Sequence, residues 1–110
     1  MVTMSEFEQN IKESILIILG TAKGERIMRP YFGCGIHNFV FEATNTSILG
    51  RIETSVREAL TDWEPRIILQ EVEVLDENEH GKIIINIGYI VRTTNNKFNL
   101  VYPFLLKEGA

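Results

Sequence analysis

The chain has little with which to staple, anchor or charge itself. A single cysteine, Cys34, among 110 residues excludes an internal disulfide and gives no sign of an oxidising compartment. The longest strongly apolar stretch, Ile15 to Leu19, is five residues, far short of the roughly 20 that span a bilayer. The amino terminus, Met1-Val2-Thr3-Met4-Ser5-Glu6, lacks the basic start and apolar stretch of a secretion signal. Eleven basic residues face fifteen acidic ones, a formal net charge of −4, and the basic residues stand singly along the chain. Duplex nucleic acid is bound through clustered cations that neutralise phosphates, so the composition argues against nucleic acid as main partner. Together these shortages predict a soluble cytoplasmic protein with no membrane contact, at least until it joins something larger.

A core is present, however. With 45% apolar and 24% charged residues the chain has the composition of one ordinary globular domain rather than a disordered segment. Ser5-Glu6-Phe7-Glu8 matches a capping box, in which a hydroxyl takes the N3 amide and the glutamate reaches back. Phe7, Ile11, Ile15 and Ile18 then follow at helical spacing. Leu16, Ile17 and Leu19 widen the stripe until the last two turns are apolar nearly all round, and Gly20 suits a left-handed stop. A second helix is predicted from Asn45 or Thr46, both good N-caps. It carries Ile48, Ile52, Val56, Ala59 or Leu60, and Trp63 at helical spacing, and ends where Pro65 forbids continuation.

Between the helices, Ile27-Met28 and Phe39-Val40-Phe41 flank the reversal Gly33-Cys34-Gly35, which reads as a short hairpin. After Pro65 the pattern turns to period two. Ile67 to Leu75 is β-rich, Asp76 to Gly81 is a polar turn, and Ile83, Ile85, Ile87, Tyr89 and Val91 alternate. Thr94-Asn95-Asn96-Lys97 makes a further turn before Phe98, Leu100, Tyr102 and Phe104. Pro103 cannot donate to a ladder, which places that last strand at an edge. The expected fold class is α+β: two amphipathic helices packed on a three-stranded antiparallel sheet, with a short hairpin between the helices.

Catalytic constellations are thin. Cys34 and His37 supply two of the four ligands of a structural zinc site, His80 lies in a different turn, and spacing alone leaves carboxylates open as the others; a small cysteine packed in a turn is the simpler explanation of the pattern. Glycoside cleavage needs two carboxyl groups flanking a cleft, one with a raised pKa. Glu25, Glu42, Glu53, Glu58, Asp62 and Glu64 are all available, but fifteen acids make chance pairs easy. Gly20 to Gly24 follows a helix, where a phosphate loop would follow a strand. No metal, cofactor or catalytic residue is called for.

Two stiff polar corners remain. Trp63-Glu64-Pro65-Arg66 joins the second helix to the first strand, and Gly24-Glu25-Arg26 lies near the entrance to the hairpin. A rigid pair of opposite charges binds a partner with little ordering cost, and Arg suits bidentate contact. An internal pairing, Glu25 with Arg66 or Glu64 with Arg26, explains the same residues equally well.

Gly24-Glu25-Arg26-x-Met28-x-Pro30-x-Phe32-Gly33, Phe41-Glu42, Trp63-Glu64-Pro65-Arg66-Ile67, Gly88-Tyr89-x-Val91 and Thr93-x-Asn95, in that order, resemble the small baseplate wedge protein family of contractile phage tails. Its relatives serve in type VI secretion and extracellular contractile injection particles. The match runs from about Ile11 to Pro103, and the chain is similar in size to members without a long amino-terminal extension, a single domain over residues 1–110. The resemblance implies a structural subunit that docks onto neighbouring wedge proteins through Glu64, Pro65 and Arg66, with Gly24, Glu25 and Arg26 as the second partner-binding corner. It also implies a platform for sheath assembly, with the edge strand carrying Phe98, Leu100 and Tyr102 pairing with the sheath protein. Six copies are expected in the assembled ring, the isolated chain being free to stay monomeric. Two alternatives accompany it: an acidic lysozyme-like peptidoglycan hydrolase, a description some family members carry, and a regulatory anti-adaptor that shares the fold.

Overall fold

The computed structural model describes residues 3–77 and 81–107. Helix α1 runs Met4–Gly20. Its cap is Thr3 rather than Ser5: the Thr3 hydroxyl accepts the Glu6 amide at 3.1 Å, and the Glu6 carboxylate accepts the Thr3 amide at 3.4 Å. The capping pattern occurs twice in overlapping frames, and the upstream frame wins for a reason visible at Glu8. Freed from capping, the Glu8 carboxylate accepts from the Thr94 hydroxyl at 3.0 Å and from the Asn96 side-chain Nδ2 at 2.7 Å, tying the helix to the distant turn. Ile11, Ile15, Ile18 and Leu19 are buried, whereas Leu16 and Ile17 face outward, so the last turns are not enclosed all round. Nor is Gly20 left-handed. The helix stops at an extended Thr21, whose hydroxyl donates to the Ile17 carbonyl at 2.6 Å.

Helix α2, Thr46–Trp63, begins where Asn45 Oδ1 accepts the Ile48 amide at 3.0 Å, and buries Ile48, Ile52, Val56, Ala59 and Leu60. The segment between the helices is not a hairpin. It forms successive turns, one isolated parallel bridge between Ala22 and Cys34, and a 3₁₀ helix over Gly35–Phe39. Gly33 sets this path. Its φ of +123° is open to glycine, and a Cβ there would collide with the Thr21 carbonyl. Cys34 then donates its amide to Thr21 O at 2.9 Å, while Cys34 and Ile36 sink into the core. The segment is also tied to the end of α1 by a side-chain contact, a 2.8 Å bond between His37 Nε2 and Leu19 O.

Strands β1 (Ile67–Asp76), β2 (Lys82–Val91) and β3 (Lys97–Leu105) form an antiparallel sheet in the order β1-β2-β3. Of the polar turn expected between β1 and β2, residues 78–80 lie outside the described residues; at its ends Glu77 donates its amide to Lys82 O at 3.0 Å. In the second turn Asn95 takes φ +58°, a value asparagine tolerates. On central β2, Ile83, Ile85, Ile87, Tyr89 and Val91 all face the core. Leu69 opposes Tyr89 while Glu71 opposes Gly88, so Gln70 is an extra residue, a bulge. The bulge keeps Ile67 and Leu69 before it, and Val72 and Val74 after it, on the helix side. Pro103 sits on edge strand β3 opposite Ile84, as its missing donor requires. Both helices cover one face of the sheet; the other exposes Ile68, Leu75, Val101 and Leu105. Among the described residues no helix is long and apolar enough to cross a membrane.

Candidate docking site

The corner after α2 is built on a buried ion pair. Glu64 caps the helix by donating its amide to Leu60 O at 3.0 Å, and this turns its side chain inward, where it is 1% exposed. Arg66, two residues on, returns a fork: Nε donates to Glu64 Oε1 at 2.7 Å and an Nη to Oε2 at 2.9 Å. Burial pushes the Glu64 carboxyl up, but the Arg66 hydrogen bonds and charge, with the Ser14 hydroxyl, more than offset it and hold the group below its ordinary value. The same bonds raise Arg66. Glu64 is therefore not displayed to a partner. It orients Arg66, whose side chain remains 41% exposed, and neither Glu25–Arg66 nor Glu64–Arg26 forms.

Arg92 fixes the main chain of this corner. Its amide donates to Arg66 O at 2.9 Å, extending the β1–β2 ladder beyond Ile67 and Val91, and its Nε donates to Pro65 O at 2.9 Å. Pro65 itself is exposed.

The second corner folds back onto the first. Gly24, at φ +88°, donates its amide to Pro30 O at 2.7 Å and closes a loop. Within it the Arg29 amide donates to Arg26 O at 3.3 Å, and just beyond it the Phe32 amide donates back to Arg29 O at 3.1 Å. Buried Phe32 anchors the loop by an edge contact with Trp63 at 5.1 Å between centroids. The Arg26 guanidinium lies 4.6 Å from the Phe32 ring centre, and that of Arg29 lies 5.6 Å from Phe32 and 5.1 Å from Trp63. Each such contact contributes about 0.5–1 kcal/mol at an exposed site. Basic residues that are single in sequence are thus gathered in space: Arg26, Arg29, Arg66 and Arg92 share one end of the domain. Among the described residues only Arg66 of these four has an ion pair. Glu25 is exposed beside them.

Arg29 and Arg92 escape a sequence reading because each occupies a position that no local pattern marks. Arg29 takes its place from the Trp63 ring and Arg92 from the Pro65 and Arg66 carbonyls, all distant in the chain. The remaining candidates disperse. The Cys34 thiol is buried, raised by that burial, and donates to Ser55 O at 3.6 Å, whereas His37 bonds Leu19 O. His80 lies outside the described residues. Glu53 pairs with Arg57 at 3.9 Å on the surface, and Glu42, Glu58 and Asp62 are exposed. Phe98, Leu100 and Tyr102 point to the core, Phe98 stacking on Tyr89 at 5.6 Å; it is the main chain of β3 that forms the sheet edge.

Residues 5–96 match the family model of the baseplate wedge protein gp25. The chain belongs to that family. It is 31% identical over 83 residues to the baseplate wedge protein gp25 of Enterobacteria phage T4, a match covering 76% of this chain and 63% of the T4 protein. The chain thus spans under two thirds of the length of that relative. A crystal structure from Geobacter sulfurreducens, provisionally described as a tail lysozyme, is 57% identical, covers the whole of both chains and superposes with a TM-score of 0.87. A subunit of the baseplate complex from the type VI secretion system matches 94% of this chain and 96% of its own length at a TM-score of 0.67. At 13% identity that last likeness is one of fold.

Proposed function

We propose that this gp25-family chain is a non-enzymatic structural subunit of the baseplate of a contractile tail or injection system. It docks onto neighbouring wedge proteins through the Pro65–Arg66 corner and offers the β3 edge to the sheath protein as a site for main-chain pairing. On this reading it is made in the cytoplasm and assembled as a ring of six. The observation that carries it is Arg66, a cation locked in direction by buried Glu64 and half open to solvent. Such a group loses little freedom on binding and matches a carboxylate on a partner. Assembly tests it. Arg66→Lys keeps the charge and the Glu64 partner but loses the fork, and should leave the chain folded while particles fail to form; normal particle numbers would remove the docking role.

The description of the Geobacter relative as a tail lysozyme favours a second reading, a peptidoglycan hydrolase. A glycosidase's general acid needs a carboxyl raised towards neutrality. Glu64, the one carboxylate buried among the described residues, is shifted the other way. Clearing of a peptidoglycan suspension that depends on one carboxylate such as Glu25 or Glu64 would establish the hydrolase and displace the structural reading.

A further inference from the structure

Between the stacked arginines of the Gly24 loop lie two side chains that the fold leaves in water. Ile27 is 95% exposed and Met28 90%, while Phe32, four residues on, is buried. The loop presenting them is closed by the Gly24–Pro30 bond, by one main-chain bond inside it from Arg29 to Arg26, and by one from Phe32 just beyond it back to Arg29, so the aliphatic pair is held up on a stiff base. Arg26 and Arg29 flank the pair in sequence, their guanidinium groups laid on Phe32 and Trp63 and without an ion pair among the described residues. Adjacent aliphatic groups in water gain from burial. Cations pre-ordered on aromatic rings recognise carboxylates with little further loss of freedom.

We infer that this loop is a docking knob: Ile27 and Met28 enter an apolar pocket of a partner protein, and carboxylates on the rim of that pocket engage Arg26 and Arg29. The inference rests on the baseplate reading and adds to it a second contact and the chemistry of the partner. Charge complementarity selects a protein surface of this kind. The chain as a whole is acidic at −4, which repels anionic lipid and nucleic acid at long range. The arginine patch is local, and a short acidic rim matches its extent. The knob is continuous with the Arg66 corner, because Arg29 lies over Trp63 and Glu64 follows it.

Photo-crosslinking in assembling particles tests this. The full chain carries p-benzoylphenylalanine in place of Ile27, and in a parallel sample in place of Pro65. The expected result is a cross-link from position 27 to a protein segment in which two or more Asp or Glu residues border apolar ones. Arg29→Glu should then cut assembly at least tenfold, and a Lys substitution at the cross-linked carboxylate should restore it. A cross-link to lipid, to nucleic acid or to a segment without carboxylates overturns the inference, as does failure of the charge swap. So does silence at position 27 when position 65 cross-links to a baseplate protein, and that outcome leaves the baseplate reading standing. Silence at both positions in assembled particles overturns both. A cooperative melt of the isolated Arg29→Glu chain that stays well above the assembly temperature, lowered only by the loss of its ring contacts, shows that the assembly effect is not a folding effect.

Discussion

Arg66→Ala strands the Glu64 carboxylate, and the cost of doing so follows from the corner's geometry. Removing one partner of a buried pair typically destabilises by about 3–5 kcal/mol. Here the lost side chain is 41% exposed, so water enters the vacated space, and the Ser14 hydroxyl still favours the charged carboxylate. Those two facts reduce the expected loss to about 1–3 kcal/mol. For a domain near 100 residues this lowers Tm by roughly 4–8 °C per kcal/mol. The sign of the pH dependence is the sharper test. In the parent chain the Glu64 carboxyl is depressed on folding, so its contribution is fully present above the unfolded carboxylate range near about pH 4.3 and is lost as pH falls through the lower folded value. In the variant, burial acts without the cation and raises that carboxyl, so protonation relieves the penalty and the variant gains stability as pH falls from 7. The gap between the two Tm values should therefore narrow steadily between pH 7 and pH 4, read by circular dichroism melts at fixed ionic strength. A gap that is constant over that range, or absent at pH 7, would refute the account of the corner as a buried pair.

Two backbone features give independent checks. Thr3→Ala removes the true cap of α1 and should cost about 1 kcal/mol in urea unfolding, whereas Ser5→Ala should change little; the reverse order would return the cap to the downstream frame. Gly33→Ala combines a left-handed φ with a Cβ driven into the Thr21 carbonyl and should cost upwards of about 2 kcal/mol, seen as a large drop in the denaturant midpoint. A Gly33→Ala chain as stable as the parent would mean that the path from Thr21 to Cys34 is differently built.

Much of this architecture is legible in the sequence, and the reason is periodicity. The buried set of α2 and the inward residues of β2 and β3 follow from spacings of 3.6 and 2, which survive folding because each element has one wet and one dry face. Ile67 to Leu75 reads as a strand although its alternation breaks, since the Gln70 bulge shifts the phase without changing the composition. Elements without a period are harder to read. Gly33 and Gly35 suggest a hairpin because reversal is what paired glycines usually signal, and nothing local reveals that Cys34 and Ile36 sink against the helices instead. The Glu64-Pro65-Arg66 triplet is recognisably stiff, yet nothing in it reveals that Glu64 turns inward and is buried while Arg66 stays open to solvent. The convergence of Arg26, Arg29 and Arg92 on that corner is likewise a tertiary fact, written in no single stretch of sequence.

The clasp that Arg92 forms over Pro65 and Arg66 has a mechanical meaning. Tension applied at the corner along the axis of β1 does not peel that strand away bond by bond. It passes through two extra attachments into the middle strand, and the whole β1–β2 ladder is loaded at once in shear. A domain wired in this manner yields as a unit rather than strand by strand.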